Sequence, residues 1–440
     1  MPHRLALDLA LPNRADAARS VRTAPRILLT ATLRWPIAAR LGMAFEELGC
    51  RAEAACPDGH PAELTRSIRR THAYSPLKPL ASLRAAIERA APDLLIPCDD
   101  DAALHLHRLH TLSHADPAGT ALCELIERSL GAPLACALAT SRGQLMALAR
   151  ELGIRVPSTC VVASAGELVA GLLQHPLPAV LKLDRSWGGR GVAVVRNRDQ
   201  ALRAYEAMAA GPTLRHAATR LLLDRDPTLL RDALKRAPQT VTVQDFVAGT
   251  PANRAVACWK GRVLAGTSVE AVHTQGATGP ATVVRVIDQP QMTEAVDRLV
   301  ARLGISGFWG ADFVLAASDG AAHLIELNPR ATPICHLAIT ATDDLPAALL
   351  GAWLGRPVER AKLPTVGDTV ALFPGEWRRH PASPHLRTSH HDVPWQEPEL
   401  VLDGTRPPWA QRGLIARSWA RWRFDRAGAS PPQASRVPVD

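Results

Sequence analysis

The segment 310–331, GADFVLAASDGAAHLIELNPRA, constrains the fold of this chain more than any other. FVLAAS (313–318) and AAHLIEL (321–327) are apolar, strand-like runs on either side of Asp319-Gly320, a dipeptide that favours a hairpin turn. The second run leads into Glu326, Asn328 and Arg330 on alternate positions. A strand has a side-chain period of two, so an acid, an amide and a cation project from one face. Antiparallel pairing across the turn brings Asp312 to the same end of the hairpin as Glu326 and Asn328. Such a row suits hard cations and phosphate oxygens better than it suits packing. For Glu326 with Arg330 alone, a salt-bridged sheet edge is an equally good reading.

Upstream, short apolar runs alternate with helical patterns. RILLTA (26–31) and RAEAAC (51–56) read as strands, and DLLIPCDD (93–100) as a strand ending in acids. Segments 36–49 and 82–92 read as helices between them, which predicts a small parallel α/β layer. A second unit begins near Ser141, with helices at 141–153 and near 165–174. PAVLKLD (178–184) and GVAVVRN (191–197) form a hairpin, and a helical insert follows at about 199–236. Strands near 240–247, 254–259 and 262–269 precede a helix near 290–303, the 313–327 hairpin and a closing helix at about 344–354. The expected organisation is a lead-in without structure over 1–24 and an α/β domain over 25–115. A linker helix over 116–140 and a two-lobed domain over 141–360 follow, the lobes dividing near 247–248. The final part, 361–440, is expected to be an extension with a disordered end of about 15 residues.

The site draws on separated segments. Lys182 precedes SWGGRGV (186–192), where Gly188, Gly189 and Gly191 allow a tight turn whose backbone N–H groups approach an anion. The glycines alone read slightly better as a plain hairpin turn. Only five of the 51 basic residues are lysines, so a lysine on the strand facing this loop points to a phosphate. VTVQDFVAGTPANR (241–254) is a strand running into a loop. Arg142, in ATSRGQ, reads by itself as a helix-start cation.

Other clusters carry less. In HLHRLH (105–110), His105 and His107 point apart, so a three-ligand zinc site fits badly and a solvated helix is expected. CDDD (98–101) reads as a helix cap before it reads as a pocket. Cys335 and His336 are neighbours on a strand and face opposite ways, which disfavours a catalytic pair. The basic stretch 373–395 reads as a surface extension packed by its tryptophans. The eight cysteines form no C-x-x-C pair, so neither a zinc site nor a disulfide framework is indicated, and a reducing cytoplasm fits best. No apolar run approaches the ~20 residues of a membrane span. The net charge of +9 is spread rather than striped, which argues against nucleic acid.

In order and wording, K-x-D-x-S-W-G-G-R-G-V, V-Q-D-F-V-x-G and G-x-D-F-V-L…D-G…L-I-E-L-N-P-R resemble the ATP-grasp superfamily over about 141–350. Residues 25–114 bear a weaker likeness to the domain that precedes the grasp fold. The resemblance implies an α/β chain of the α+β grasp type, a small parallel domain followed by a two-lobed grasp fold. It implies that Arg142 and Lys182 contact the nucleotide phosphates under a loop containing Ser186, Gly188, Gly189 and Gly191. Gln244, Asp245 and Val247 would hold the adenine, the latter two by backbone. Asp312, Glu326 and Asn328 would bind two Mg2+ ions, with Mn2+ able to replace them, and Arg330 would stabilise the transferring phosphoryl group. Arg142 stands where many members carry lysine. The hinge loop lacks the acid that often meets the ribose, and Asn253 is the nearest polar group. The implied reaction is ATP-dependent, Mg-dependent activation of a carboxylate as an acylphosphate, which an amine or similar nucleophile displaces. A silent ATP-binding scaffold and a bicarbonate-using carboxylase-like enzyme are the alternatives. The implied partners are small-molecule carboxylate and amine substrates, with no nucleic acid and no membrane; a homodimer is compatible.

Overall fold

The structure, a computed structural model, describes residues 24–114, 117–184, 191–211, 240–276, 278–360 and 367–407. The predicted lead-in, residues 186–190 of the glycine loop, most of the helical insert after position 211 and the chain end lie outside these residues.

Strands β1 (Arg26–Thr30), β2 (Arg51–Cys56), β3 (Ile68–Ala73) and β4 (Leu94–Pro97) form the expected parallel sheet, in the order β3-β2-β1-β4. Strand β1, inside the sheet, and β4, at its end, are buried almost throughout, as strands covered on both faces must be. Strand β3, IRRTHA, escaped the sequence reading because only Ile68 and His72 of its residues are buried. DLLIPCDD does not stay extended to Asp100. It leaves the sheet at Pro97, and the carboxylate of Asp99 caps the helix Asp100–Ser113 by accepting the Ala102 N–H at 2.9 Å. The same carboxylate also accepts the N–H groups of Thr32 (2.6 Å) and Leu33 (3.0 Å), so one cap ties two loops together. HLHRLH is not a solvated stretch: His107 and His110 are buried where this helix packs on its neighbours. The linker folds as two helices, Thr120–Leu130 and Pro133–Thr140, with a positive-φ Gly131 and Pro133 marking the break.

A second, antiparallel sheet holds β5 (Thr159–Val162), β6 (Ala179–Leu183), β7 (Val192–Val195) and β8 (Val241–Asp245), in the order β5-β8-β6-β7. The third sheet is built on β9 (Gly249–Trp259), β10 (Arg262–Thr274), β11 (Ala281–Val286), β12 (Gly307–Ala316) and β13 (Ala322–Asn328). Lys260 and Gly261, both at positive φ, turn β9 into β10 in the conformation a two-residue hairpin requires. Along β9 the alternation separates two cores. Ala255 and Ala257 face the helix Leu345–Leu354, whereas Val256 and Cys258 face the helix Pro290–Leu303.

The C-terminal part corrects the sequence reading. Strands β14 (Thr369–Ala371) and β15 (His390–His391) extend the third sheet to the order β13-β12-β9-β10-β11-β14-β15. Buried carboxylates anchor this part; of the two tryptophans in 373–395, Trp377 is half-buried and Trp395 is 72% exposed. Fully buried Glu376 accepts from Thr282 Oγ1 at 2.7 Å and from Arg379 at 2.6 and 2.7 Å. Buried Asp392 pairs with Arg40 of the helix Ile37–Glu47 and with His336 Nε2 at 3.0 Å, joining the first and last parts of the chain. All eight cysteines are free thiols, and among the described residues no helix is long and apolar enough to cross a membrane.

These anchors set two expectations. Removing one partner of a buried ion pair costs about 3 kcal/mol or more, so Asp392→Ala lowers the unfolding free energy by that order in denaturant titrations. Burial pushes the Glu376 carboxyl up, but the bonds from Arg379 and Thr282 outweigh it and hold the group at about 2, below its ordinary 4.5. Its contribution is therefore full above pH 4.5 and lost as pH falls towards 2. Glu376→Gln flattens the acid limb of the stability curve over that window; an unchanged limb would refute the assignment.

Candidate active site

The hairpin read from the sequence is the centre of the site. Asp312 on β12 stands directly opposite Glu326 on β13, and Gly310 opposite Asn328, beside a bulge between Asp312 and Phe313. On the other flank of β12, Asn253 of β9 is opposite Asp312. Both oxygens of Asp312 are held by amides, from Asn253 Nδ2 at 2.6 Å and Asn328 Nδ2 at 2.9 Å. Asn253 therefore stands with the carboxylates, and its buried Oδ1 has no hydrogen-bond partner.

Two cations arrive from the other sheet's side. Lys182 lies on β6 between Val192 and Thr242, 6% exposed. Burial pulls its amine down from 10.5 to about 8; Glu326 and Asp312 oppose that and Arg142 adds to it. Arg142 opens the helix Arg142–Glu151 and bridges the two sheets. It donates to the Leu183 carbonyl at the end of β6 and to Glu326 Oε1 at 3.0 Å, with Asp184 at 3.7 Å. Burial raises the carboxyl pKa values of Asp312 and Glu326; Glu326 is also raised by Asp312 and lowered by Arg142 and Lys182.

Arg330, just past β13, closes the far side. Its Nη2 reaches Asn328 Oδ1 at 3.3 Å, and its guanidinium carbon lies 5.2 Å from the centroid of the Trp35 ring. Its Nε donates to Asp100 Oδ2 at 2.7 Å. Asp100 and Trp35 were not singled out as Arg330 partners in the sequence; the acids of CDDD were the one available signal. Trp35 also lines a cleft of about 210 Å3 with Arg34, Arg40, Phe373, Arg378 and Leu400.

The hinge residues lie apart from this cluster. Gln244 is buried and donates to Thr159 Oγ1 at 3.0 Å. Asp245 accepts from His175 Nδ1 at 2.7 Å and gives its N–H to the Ser158 carbonyl at 2.9 Å; Val247 is half-buried in the loop after β8. Of the glycine loop, Gly191 is described, at φ 69, and Ser186, Gly188 and Gly189 lie outside the described residues. Cys335 is buried and takes the Thr332 N–H at 3.2 Å, while His336 turns to Asp392, so the two do not act as a pair.

Asp312 and Glu326 supply carboxylate oxygens and Asn328 and Asn253 amide oxygens, the hard donors that Mg2+ takes. The unpartnered Asn253 Oδ1 fits that use. Rotating the Asn328 amide would turn its oxygen towards Asp312.

The burial of Lys182 yields a testable cost. Its folded pKa lies below its unfolded value, so the fold is least favoured where the amine must stay charged, below about pH 8, and gains as pH rises from 8 towards 10.5. Lys182→Met should stabilise the protein at pH 7, by on the order of 1–3 kcal/mol, as read by denaturant unfolding. Destabilisation instead would mean that the amine is a net structural anchor.

The model of the ATP-grasp domain matches residues 226–333. The large chain of carbamoyl phosphate synthase from Gemmatimonas aurantiaca is 26% identical over 250 residues, 55% of this chain and 20% of that protein. The chain thus spans about a fifth of the length of the curated relative it matches. Among solved structures, N5-carboxyaminoimidazole ribonucleotide synthetase from Thermus thermophilus superposes with a TM-score of 0.54 at 18% identity, covering 76% of this chain and 79% of that one. The biotin carboxylase domain of the Hydrogenobacter thermophilus 2-oxoglutarate carboxylase, solved with MgADP and bicarbonate, gives 0.54 at 16% identity, over 77% and 71%. The match to the ATP-grasp domain model falls on the segment that carries Asp312 and Glu326, and the fold resembles those of these two solved structures over about three quarters of the chain.

Proposed function

We propose that the protein is an ATP-dependent ligase that activates a carboxylate and joins it to an amine or similar nucleophile, releasing ADP and phosphate. The observation that carries this reading is the convergence of Lys182 and Arg142 from one side, and Arg330 from the other, on the facing pair Asp312 and Glu326. A carboxylate pair with three cations around it answers the demands of phosphoryl transfer, which are charge neutralisation and positioning.

In this reading Lys182 and Arg142 grip the nucleotide phosphates under the glycine loop containing Ser186, Gly188, Gly189 and Gly191. Gln244, Asp245 and Val247 border the adenine. Asp312, Glu326 and Asn328 would hold two Mg2+ ions, which when bound would neutralise and orient the phosphate oxygens. An oxygen of the acid attacks the γ-phosphorus and the bond to ADP breaks, leaving an acylphosphate. The nucleophile's nitrogen then attacks the acyl carbon, phosphate departs with the C–O electron pair, and the amine's proton passes to solvent. Arg330, held by Asp100 and stacked on Trp35, faces the charge that develops on the transferring group. The cleft beside Trp35, with Arg34, Arg40 and Arg378 against Asp403, suits an anionic substrate. Bicarbonate is a second reading for the acid, favoured by the fold likeness to a domain solved with that anion.

A screen of acids and amines for ADP release tests the reading, with one arm in bicarbonate-free buffer to separate the two acids. Glu326→Gln and Arg330→Ala each lower turnover by on the order of 100-fold or more. Nucleotide binding with no acid-dependent ADP release across the pool would favour a silent ATP-binding scaffold. A second measurement reads Lys182 directly. Because its amine sits at about 8 before phosphate arrives, MgATP affinity holds below that pH and weakens above it, approaching tenfold per pH unit. Lys182→Arg removes the dependence, as calorimetric titrations between neutral and alkaline pH would show.

A further inference from the structure

A second cluster of ligand-bearing side chains lies outside this site, at the other end of the helix that begins with Asp100. His110 and His114 are one turn apart, linked by the His114 N–H to the His110 carbonyl at 2.9 Å, and their rings stack with centroids 5.7 Å apart. Cys123, from the helix Thr120–Leu130, packs against them with its thiol 3.6 Å from the His110 carbonyl. One ligand atom from each of the three lies within 4.8 Å of the other two. Glu127, one turn beyond Cys123, accepts from His110 Nε2 at 2.6 Å.

We propose that His110, His114 and Cys123 form a zinc site, with Glu127 orienting the His110 ring. The bond from Nε2 to Glu127 assigns Nδ1 of His110 to the metal and supplies the carboxylate partner that ligating histidines usually have. Two imidazoles and a thiolate are a soft set that selects zinc over magnesium, the reverse of the oxygen donors around Asp312. Tetrahedral zinc needs its ligand atoms roughly 3.5 Å apart, so the cluster must close by about 1 Å. His114 is exposed at the helix end and free to rotate by that much, and Cys123 and His110 are the buried, fixed pair. His114 and Glu127 are both exposed, so a water would supply the fourth ligand. The metal fastens the helix Asp100–Ser113 to its neighbour about 20 Å from the end that presents Asp100 to Arg330. His107 is not part of the site; it is buried one turn before His110, and burial holds it at about 4.

The test is a cobalt titration of the full, chelator-treated chain in excess Mg2+, which occupies oxygen sites. One cobalt per chain with a thiolate-to-cobalt charge-transfer band, displaced by zinc, is expected. Cys123→Ser and His114→Ala abolish the band, Cys160→Ser leaves it, and Glu127→Gln weakens cobalt binding about 10–100-fold. His114→Ala changes an exposed residue and keeps the fold, so it is also scored by unfolding: zinc raises the midpoint of the parent chain and not of this variant. Absence of a stoichiometric band, or a band that survives Cys123→Ser or His114→Ala, overturns the proposal.

Discussion

Two carboxylates facing each other across a strand pair set the terms for this molecule. Asp312 and Glu326 are register partners, burial raises both, and Asp312 further raises Glu326. Left alone, such a pair would take up protons or part. It is held instead by Asn253 and Asn328 on Asp312, by Arg142 on Glu326, and by the buried amine of Lys182. Each of these groups comes from a different strand or helix, so the arrangement of sheets is what makes the pair tolerable. Buried charge of this kind is poor evidence for stability. It is retained where chemistry needs it, which is why the lysine at the centre is expected to cost stability at neutral pH.

The parallel sheet reaches the site from the far side. The Ala331 N–H bonds to the Pro97 carbonyl at 3.0 Å, and the next helix gives Asp100 to Arg330. Asp99, next to it, fixes the loop that carries Trp35 by binding the N–H groups of Thr32 and Leu33. Asp392 draws the last sheet strand onto Arg40 and His336. The cleft beside Trp35 is thus walled by the beginning and end of the chain, while the carboxylate pair belongs to its middle.

Much of this was readable beforehand where the pattern is local. An Asp-Gly turn between two apolar runs specified the β12–β13 hairpin, and period-two alternation placed Asp312, Glu326 and Asn328 together. Lysine scarcity singled out Lys182. The reading failed where a strand lacks apolar alternation, as in IRRTHA, or is short and added at an edge, as at His390–His391. It also did not foresee that Asn253 lies across from Asp312, because proximity in sequence to the hinge says nothing about which strand lies beside it.

The sequence by itself determined which residue types meet at the hairpin and which segments become strands, because turn chemistry and side-chain period act over a few residues. Only tertiary structure decided that Arg330 is partnered by Asp100, 230 positions away, and that Arg142 bridges two sheets to Glu326. It likewise decided that His110 and His114 meet Cys123. Those contacts depend on how helices and sheets pack, and packing is set by the summed burial of three sheets and not by any short stretch of chain.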